Sequence, residues 1–345
     1  MATDVQLIGD ALELPGGVRV TFVRTLRLPE EGTYPLPPGL GSFPLRRVAD
    51  YPETVPAEWR ERGGVMLPVY QREAMWLRFA APAPAALQVG VGKVCAVSGK
   101  PWSDALAGKP QNYLALPRQP WLDGINSGTG TVRQFVAVPL GLGATVEGQV
   151  TGSERWGGVQ LAVHPLTAAA RSAWAAEQRA RPPIARAGGG PGFGAAPAAM
   201  PAAYSAPAPA GAPARAGGPP ARRAMGLGAG GTMRQEIVAD TRPLTDYRPE
   251  PAGRVFVHLA SAAEWKALTG EPAPATPITA HAYAEHGLPW YEYYDADAAD
   301  LPAADELAGV RPTGDWLADE GENPAVTQPL PVITIGEKPV ADGEW

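Results

Sequence analysis

The sequence predicts a mainly β protein with some α structure, made of a β-rich N-terminal domain, a low-complexity linker and a C-terminal α+β domain. Three observations lead to this fold class. Glycine or proline interrupts residues 1–177 roughly every 8–12 positions, with β-branched and aromatic runs in between. Residues 178–224 are dominated by Ala, Pro, Gly and Arg. Clear helix signals return only beyond residue 225.

The N-terminal domain, residues 1–177, contains five runs of high β propensity. Short strands at such regular spacing favour a β-sandwich or a barrel-like fold. An alanine-rich helix is predicted over residues 166–178, and it closes the domain before the pair Pro182-Pro183. The five strand candidates are residues 18–23, 65–70, 74–79, 132–138 and 159–163.

Residues 178–224 form the predicted linker. Between residues 182 and 224, 34 of 43 residues are Ala, Gly or Pro, so the segment buries too little apolar surface to offset its ordering entropy. We interpret it as a tether long enough to reach a neighbouring subunit. The glycine-rich residues 226–231 lack both a preceding strand and the Gly-Lys-Ser/Thr of a phosphate-binding loop. We therefore interpret them as a flexible exit from the tether.

The C-terminal α+β domain is predicted over residues 225–325. Residues 254–259 are a strand candidate, and a helix with a Ser-x-x-Glu capping box follows over residues 261–268. A second helix is predicted over residues 279–286. The extended tail, residues 326–345, contains one strand candidate, and a lone strand must add to a sheet edge of its own chain or of another.

Charge is distributed unevenly along the chain. The net charge is −6, but residues 1–177 sum to +1, residues 178–235 to +7 and residues 236–345 to −14. The acidic C-terminal half repels polyanions, which leaves nucleic acid binding through the linker arginines as the weakest alternative. A single cysteine, Cys95, and an acidic N terminus without a long apolar run favour a cytoplasmic protein with no membrane partner.

Three Pro-Trp pairs are each followed by an acidic residue. An exposed aromatic ring beside a carboxylate suits a sugar, because the ring takes the C–H face while the acid binds hydroxyl groups. A carbohydrate-binding module is therefore one alternative function, and buried turn tryptophans are the competing interpretation. The candidate binding residues are Trp102, Asp104, Trp121, Asp123, Trp290 and Glu292.

The sequence contains no recognisable catalytic or metal-ligating motif. His281 and His286 are five residues apart, whereas a helical zinc site of the HExxH type needs a spacing of four. We therefore expect no catalytic residue, no metal and no cofactor. A carboxylate-based hydrolase built on residues such as Glu285, Glu292 and Asp295 is a further alternative, and it requires two carboxyl groups flanking a cleft.

Several sequence blocks resemble a family of uncharacterised bacterial proteins. In the first half these blocks read VSGKPW, QPWLDG and VRQFVAVPL, and in the second half they read MGLGAGGTMRQEI and GLPWYEYY. The resemblance implies that both halves belong to one recurring unit. It implies no activity and no site residue.

Together these features favour a non-enzymatic, self-assembling structural or scaffold protein that forms a homo-oligomer or a filament. The basic linker and the acidic C-terminal half attract each other, and charge complementarity of this kind sets the register of contacts. The linker and the tail strand are expected to exchange between subunits. The expected assembly residues are Arg215, Arg222 and Arg223 in the linker and Val332, Ile333, Thr334 and Ile335 in the tail.

Overall fold

A computed structural model of the chain describes residues 5–180, 224–274, 290–293, 299–313 and 332–335. Within these residues, seventeen strands form one sheet, two further strands form a second sheet, and the helices are few and short. The predicted fold class, mainly β with some α, is confirmed.

The strands are β1 (Gln6–Ile8), β2 (Ala11–Leu14), β3 (Val18–Thr25), β4 (Thr33–Tyr34), β5 (Gly39–Ser42), β6 (Arg46–Arg47), β7 (Val65–Val69), β8 (Ala74–Ala80), β9 (Ala85–Val91), β10 (Val94–Cys95), β11 (Leu114–Leu116), β12 (Trp121–Leu122), β13 (Gly124–Gly128), β14 (Thr131–Pro139), β15 (Val159–Pro165), β16 (Ala224–Arg234), β17 (Gly253–Ser261), β18 (Trp290–Tyr293) and β19 (Val332–Ile335). The α-helices are α1 (Ala57–Arg62), α2 (Val146–Thr151), α3 (Ala168–Ala180), α4 (Ala262–Thr269) and α5 (Asp305–Ala308). None of these helices is long and apolar enough to cross a membrane.

Two ladders of strands make up most of the large sheet. One ladder runs β1–β2–β3–β8–β14–β16, antiparallel throughout. The other runs β11–β9–β15–β17, with β7 added parallel to β17. A short pairing between β16 and β17 joins the ladders. Their buried side chains, such as Phe22 in β3 and Leu161 in β15, belong to one hydrophobic cluster, so both ladders are stabilised by the same core.

The five N-terminal strand candidates correspond to β3, β7, β8, β14 and β15. Their β-branched and aromatic side chains fill the core. In β7 every residue is buried, which explains why the sequence shows no alternation of apolar and polar residues there.

The glycine-rich segment after the linker is a strand, so its interpretation as a flexible exit is wrong. β16 pairs antiparallel with most of β14, from Thr131 opposite Arg234 to Pro139 opposite Met225. Its glycines allow another backbone to approach closely. A Cβ atom at Gly231 would lie 2.1 Å from the Pro29 carbonyl oxygen. Because glycine is rare in strand interiors, composition alone gives the wrong answer for this segment.

The two strands β16 and β17 connect the predicted C-terminal domain to the predicted N-terminal domain. β16 pairs with β14, and β17 pairs with both β15 and β7. The described residues on the two sides of residues 181–223 therefore share one sheet and one core. Pairing over so large a separation leaves no local signal in composition, which is why the sequence suggests two separate units.

The predicted helices have two different outcomes. α3 and α4 lie where the sequence places them, and Gly270 ends α4 in the left-handed conformation. Ser261 is the N-cap of α4, but its side chain makes no capping hydrogen bond, so the predicted capping box does not form. The predicted helix over residues 279–286 lies outside the described residues.

The tail strand pairs within its own chain. β19 runs parallel to β18, with Trp290 opposite Val332 and Tyr293 opposite Ile335. The backbone of Tyr291 in turn exchanges hydrogen bonds of 2.8 and 2.9 Å with Leu36. The tail strand thus lies at a sheet edge of its own chain. Arg215, Arg222 and Arg223 lie outside the described residues.

Candidate functional site

Trp121 and Asp123 lie in the protein core. Only 2% of Trp121 and 1% of Asp123 is exposed. Trp121 lies in β12 opposite Arg78 of β8, and the Asp123 backbone N–H donates to the Gln235 Oε1 atom at 2.9 Å. Neither residue can contact a sugar, so this part of the carbohydrate prediction does not fit the structure.

The burial of Asp123 has an electrostatic consequence. Burial raises the pKa of Asp123 well above its ordinary value, although the neighbouring Trp121 side chain partly opposes the shift. The native state therefore binds this proton more tightly than the unfolded chain does. Above the ordinary pKa of a carboxyl group, near 4, the folded protein is consequently destabilised as pH rises.

We expect Asp123 to contribute a fall in the free energy of unfolding of up to about 1.4 kcal/mol per pH unit, from about pH 4 until its native carboxyl ionises, and the difference in slope between the wild type and Asp123→Asn isolates this contribution from that of the buried histidines. Urea unfolding at a series of pH values measures this slope. In Asp123→Asn the contribution of this group to the slope should vanish, because an amide does not titrate. An identical pH dependence in the wild type and in Asp123→Asn would contradict the assignment.

Trp102 and Asp104 remain at the surface. The Trp102 Nε1 atom donates to the Asp104 Oδ1 atom at 3.0 Å, and Asp104 also forms an ion pair with Arg254 of β17. The Trp102 ring lies over Gly90 of β9, where a Cβ atom would come within 2.5 Å of the ring. Any side chain at position 90 would therefore clash with the indole. Trp290 and Glu292 belong to β18, and the side chains of these two residues lie outside the described part.

A second half-buried indole, that of Trp156, lies close to three cationic side chains. The Arg62 guanidinium is 4.3 Å from the ring centroid, the Lys93 ammonium 4.4 Å and the Arg155 guanidinium 5.8 Å. These distances are within the range of cation–π attraction, which contributes about 0.5–1 kcal/mol at exposed sites. The indole thus holds together cations that would otherwise repel one another.

Lys93 links the two tryptophans. Its carbonyl oxygen accepts a hydrogen bond from the Trp102 backbone N–H at 2.8 Å, and its ammonium donates to the Gln160 Oε1 atom at 3.4 Å. Gln160 in turn lies opposite Gly90, under Trp102. We call this surface the basic cluster; it consists of Arg62, Lys93, Arg155 and Arg254 with Trp102 and Trp156.

The residues beneath the basic cluster are hydrogen-bonded and stacked, and they add no positive charge. The buried Glu147 carboxylate of α2 accepts hydrogen bonds from the backbone N–H groups of Trp156, at 3.0 Å, and Gly157, at 2.8 Å. On the other side, the His258 ring stacks on Trp59 with centroids 4.6 Å apart. Burial lowers the pKa of His258 to about 4, so this histidine is neutral at physiological pH.

The electrostatics of the basic cluster favour an anion. Partial burial lowers the pKa of Lys93; Asp104 opposes the shift, while Arg254 lowers the pKa further. Arg254 is paired with Asp104, and Arg62 lies 4.0 Å from Glu58. Within the described part of the chain, neither Lys93 nor Arg155 forms an ion pair with a carboxylate. These two cations can therefore bind an external carboxylate or phosphate by donating hydrogen bonds to it.

The described part of the chain holds neither a metal-ligand cluster nor an exposed cysteine. No group of three or more His, Cys, Asp and Glu side chains in the described ranges could hold a metal ion. Cys95 is buried, and burial raises the pKa of its thiol, so it is an inert core residue as its apolar surroundings indicate. Glu285 and Asp295 of the hydrolase alternative, and His281 and His286, lie outside the described residues.

The sequence points to only part of the basic cluster. It identifies Trp102 and Asp104 through the Pro-Trp pattern, and the adjacent residues Arg155 and Trp156 carry a weak local signal. Arg62 is the last residue of α1, in another part of the chain, and Lys93 lies between β9 and β10. Only the sheet pairing brings these segments together.

Comparison with models of known protein families, with curated proteins and with solved structures finds no match to this chain.

Proposed function

We propose that this chain is a non-enzymatic, self-assembling cytoplasmic protein whose basic cluster binds the acidic C-terminal segment of a second copy. The observation that carries the proposal is the concentration of cations around Trp156, two of which form no ion pair with a carboxylate among the described residues. A surface of this kind favours a partner that supplies negative charge.

The Trp156 ring itself helps to define the partner. Arg62 and Lys93 already lie over this ring at 4.3 and 4.4 Å from its centroid. A sugar or a nucleobase would have to displace a cation in order to stack there. The ring therefore supports a site for anions, and stacking is the weaker use of this surface.

The chain itself contains a complementary partner. Residues 236–345 carry a net charge of −14, and residues 314–345 alone contain seven acidic side chains and one basic side chain. Arginine binds carboxylates through paired hydrogen bonds, so an acidic peptide fits the guanidinium groups of the cluster. The sequence indicates an attraction between the basic and acidic parts of the chain. The proposal assigns this attraction to the basic cluster of one copy and the acidic C-terminal segment of another.

The linker arginines extend the same basic region along the sequence. Arg222 and Arg223 directly precede β16, and Gly157, next to Trp156, packs against the Met225 carbonyl oxygen at the start of that strand. Arg215 lies further from β16 in the sequence and carries the same positive charge. We therefore include these three arginines in the proposed binding surface, while β19 contributes by anchoring the tail to β18.

We expect the wild-type protein to sediment as a homo-oligomer at low salt and to dissociate at high salt, because exposed charges are screened above about 0.1 M. The double variant Arg62→Glu/Lys93→Glu should shift to monomer at low salt, and Arg215→Gln/Arg222→Gln/Arg223→Gln should weaken assembly by a smaller amount. Arg179→Glu is the matched control, since it reverses a charge at the end of α3, outside the cluster. Analytical ultracentrifugation measures all of these species.

Two outcomes would contradict the proposal. The first is a wild-type monomer at every salt concentration. The second is an oligomer that survives charge reversal of the cluster and neutralisation of Asp315, Asp319, Glu320 and Glu322. The carbohydrate alternative keeps Trp102 and Asp104 together with Trp290 and Glu292. It is the weaker candidate because the Asp104 carboxylate is already bound by Trp102 and Arg254.

A further inference from the structure

A cleft of about 340 Å³ shares no lining residue with the basic cluster. This volume falls within the range typical of small-molecule sites. The cleft contains groups of both charges beside an apolar wall. Its lining residues come from the loop before β9, from β11 and the turn after it, from α3 and from the loop before β17; they include Pro84, Leu116, Arg118, Glu177, Asp240 and Arg242.

Asp240 is held in place by two buried tyrosines. The Tyr113 hydroxyl donates to the Asp240 Oδ2 atom at 3.0 Å and the Tyr247 hydroxyl donates to the same atom at 2.7 Å. The tyrosine rings meet edge to face, with centroids 5.9 Å apart. Burial raises the pKa of both phenols above their ordinary value, so they remain protonated donors. The carboxylate is thereby fixed in one orientation.

The other carboxylate oxygen has capacity for a ligand. The Asp240 Oδ1 atom accepts one hydrogen bond, from the Arg242 backbone N–H at 3.0 Å. A carboxylate oxygen can accept two hydrogen bonds, so Oδ1 can also accept one from an ammonium group. A second carboxylate, Glu177, lines the same cleft. The cleft therefore offers a preorganised acceptor for a cationic group.

The guanidinium groups of Arg118 and Arg242 supply the opposite charge. Arg242 uses an N–H to bind Asp246 at 3.2 Å, and a guanidinium has five N–H donors in all. Guanidinium groups are suited to bind a carboxylate by paired hydrogen bonds. Apolar surface is supplied by Pro84, Leu116, Pro117 and Pro243, which favours a ligand with an apolar part.

We propose that this cleft binds a small zwitterion with an apolar body, of the α-amino acid class. Its ammonium group donates to Asp240 and its carboxylate is bound by Arg118 and Arg242. Its side chain lies against the prolines and Leu116. The proposal is independent of self-assembly, because none of these residues belongs to the basic cluster.

Isothermal titration calorimetry with L-phenylalanine tests the site on the full chain. The controls are 3-phenylpropanoate, which lacks the ammonium group, and 2-phenylethylamine, which lacks the carboxylate. We expect saturable binding of phenylalanine that is at least about tenfold tighter than that of either analogue, because each analogue lacks one of the two ionic contacts that phenylalanine makes in the cleft. No binding, or equal binding of all three compounds, would overturn the proposal.

Two variants locate the binding site. Asp240→Asn removes the charge but retains an oxygen for the two tyrosine hydroxyls, and Arg118→Gln removes one guanidinium. Each should weaken phenylalanine binding by about tenfold or more. Arg171→Gln, on an exposed face of α3, should leave the affinity unchanged. If Asp240→Asn does not fold, as judged from its melting curve, Arg118→Gln decides, and wild-type affinity in that variant would place the ligand elsewhere.

Discussion

Gly231→Ala should destabilise the protein by about 3 kcal/mol or more, the upper end for a group forced into a packed interior. The added methyl group would lie 2.1 Å from the Pro29 carbonyl oxygen and 3.1 Å from the Leu28 Cβ atom. This neighbouring backbone cannot move away easily, because the Gln134 side chain binds it on both sides: Gln134 accepts from the Leu28 N–H and donates to the Leu26 carbonyl oxygen, each at 2.9 Å. Denaturant unfolding measures the loss.

Gly309→Ala is the matched control for that substitution. Gly309 follows α5 with helical backbone angles, and nothing lies within 4 Å of the position that its Cβ atom would occupy. Alanine there should be neutral or stabilise the protein by about 0.4–1 kcal/mol, because it reduces the entropy of the unfolded chain. Equal effects of the two substitutions would show that β16 is not packed against residues 26–29.

Glu73→Gln should cost about 3–5 kcal/mol, the range measured when one partner of a buried ion pair is removed. The Glu73 Oε1 atom accepts from the Arg24 Nε atom at 2.8 Å, and Oε2 accepts from the Tyr70 backbone N–H at 2.9 Å. The side chain of Glu73 is 1% exposed and that of Arg24 9% exposed. Burial raises the pKa of Glu73 even though Arg24 opposes the shift, so the site is strongly desolvated.

An exposed ion pair in the same sheet provides the control. Glu13 and Arg19 approach to 3.4 Å, with side chains 38% and 50% exposed. Glu13→Gln should change the free energy of unfolding by at most about 1 kcal/mol, because solvent screens this pair. Urea titration of both variants at pH 7 gives the comparison. A loss in Glu73→Gln no larger than that in Glu13→Gln would mean that the buried pair does not contribute to stability as described.

The sequence predicts a strand correctly where the strand's own side chains have high β propensity. β3, β8 and β14 are rich in Val, Phe and Trp, and these residues form the core in the structure. The sequence does not predict β16, because several of its positions must be glycine to let other segments approach closely. It does not predict β9 for a similar reason, since the small residues of β9, including Gly90, make room for the Trp102 ring. In both strands the reason for the residue lies in another segment of the chain.

The basic cluster illustrates the same limit for a binding site. Trp102 and Asp104 lie close together in the sequence, so a motif can reveal them. Trp121 and Asp123 have nearly the same pattern, yet they are buried, because β12 pairs with β8 inside the sheet. A local motif therefore identifies residue types, while exposure is decided by which strands cover them. Arg62 and Lys93 have no motif at all.

The order in which the strands are synthesised matters for how this chain folds. A ribosome that has made the first 180 residues has produced β7, β14 and β15, but not β16 and β17, which cover one edge of each of these strands. Unpaired edges are the parts of a nascent β protein most exposed to aggregation, and long-range pairing is slow to form. The long insertion before β16 extends the time during which these edges wait for their partners, so productive folding depends on protecting them during translation.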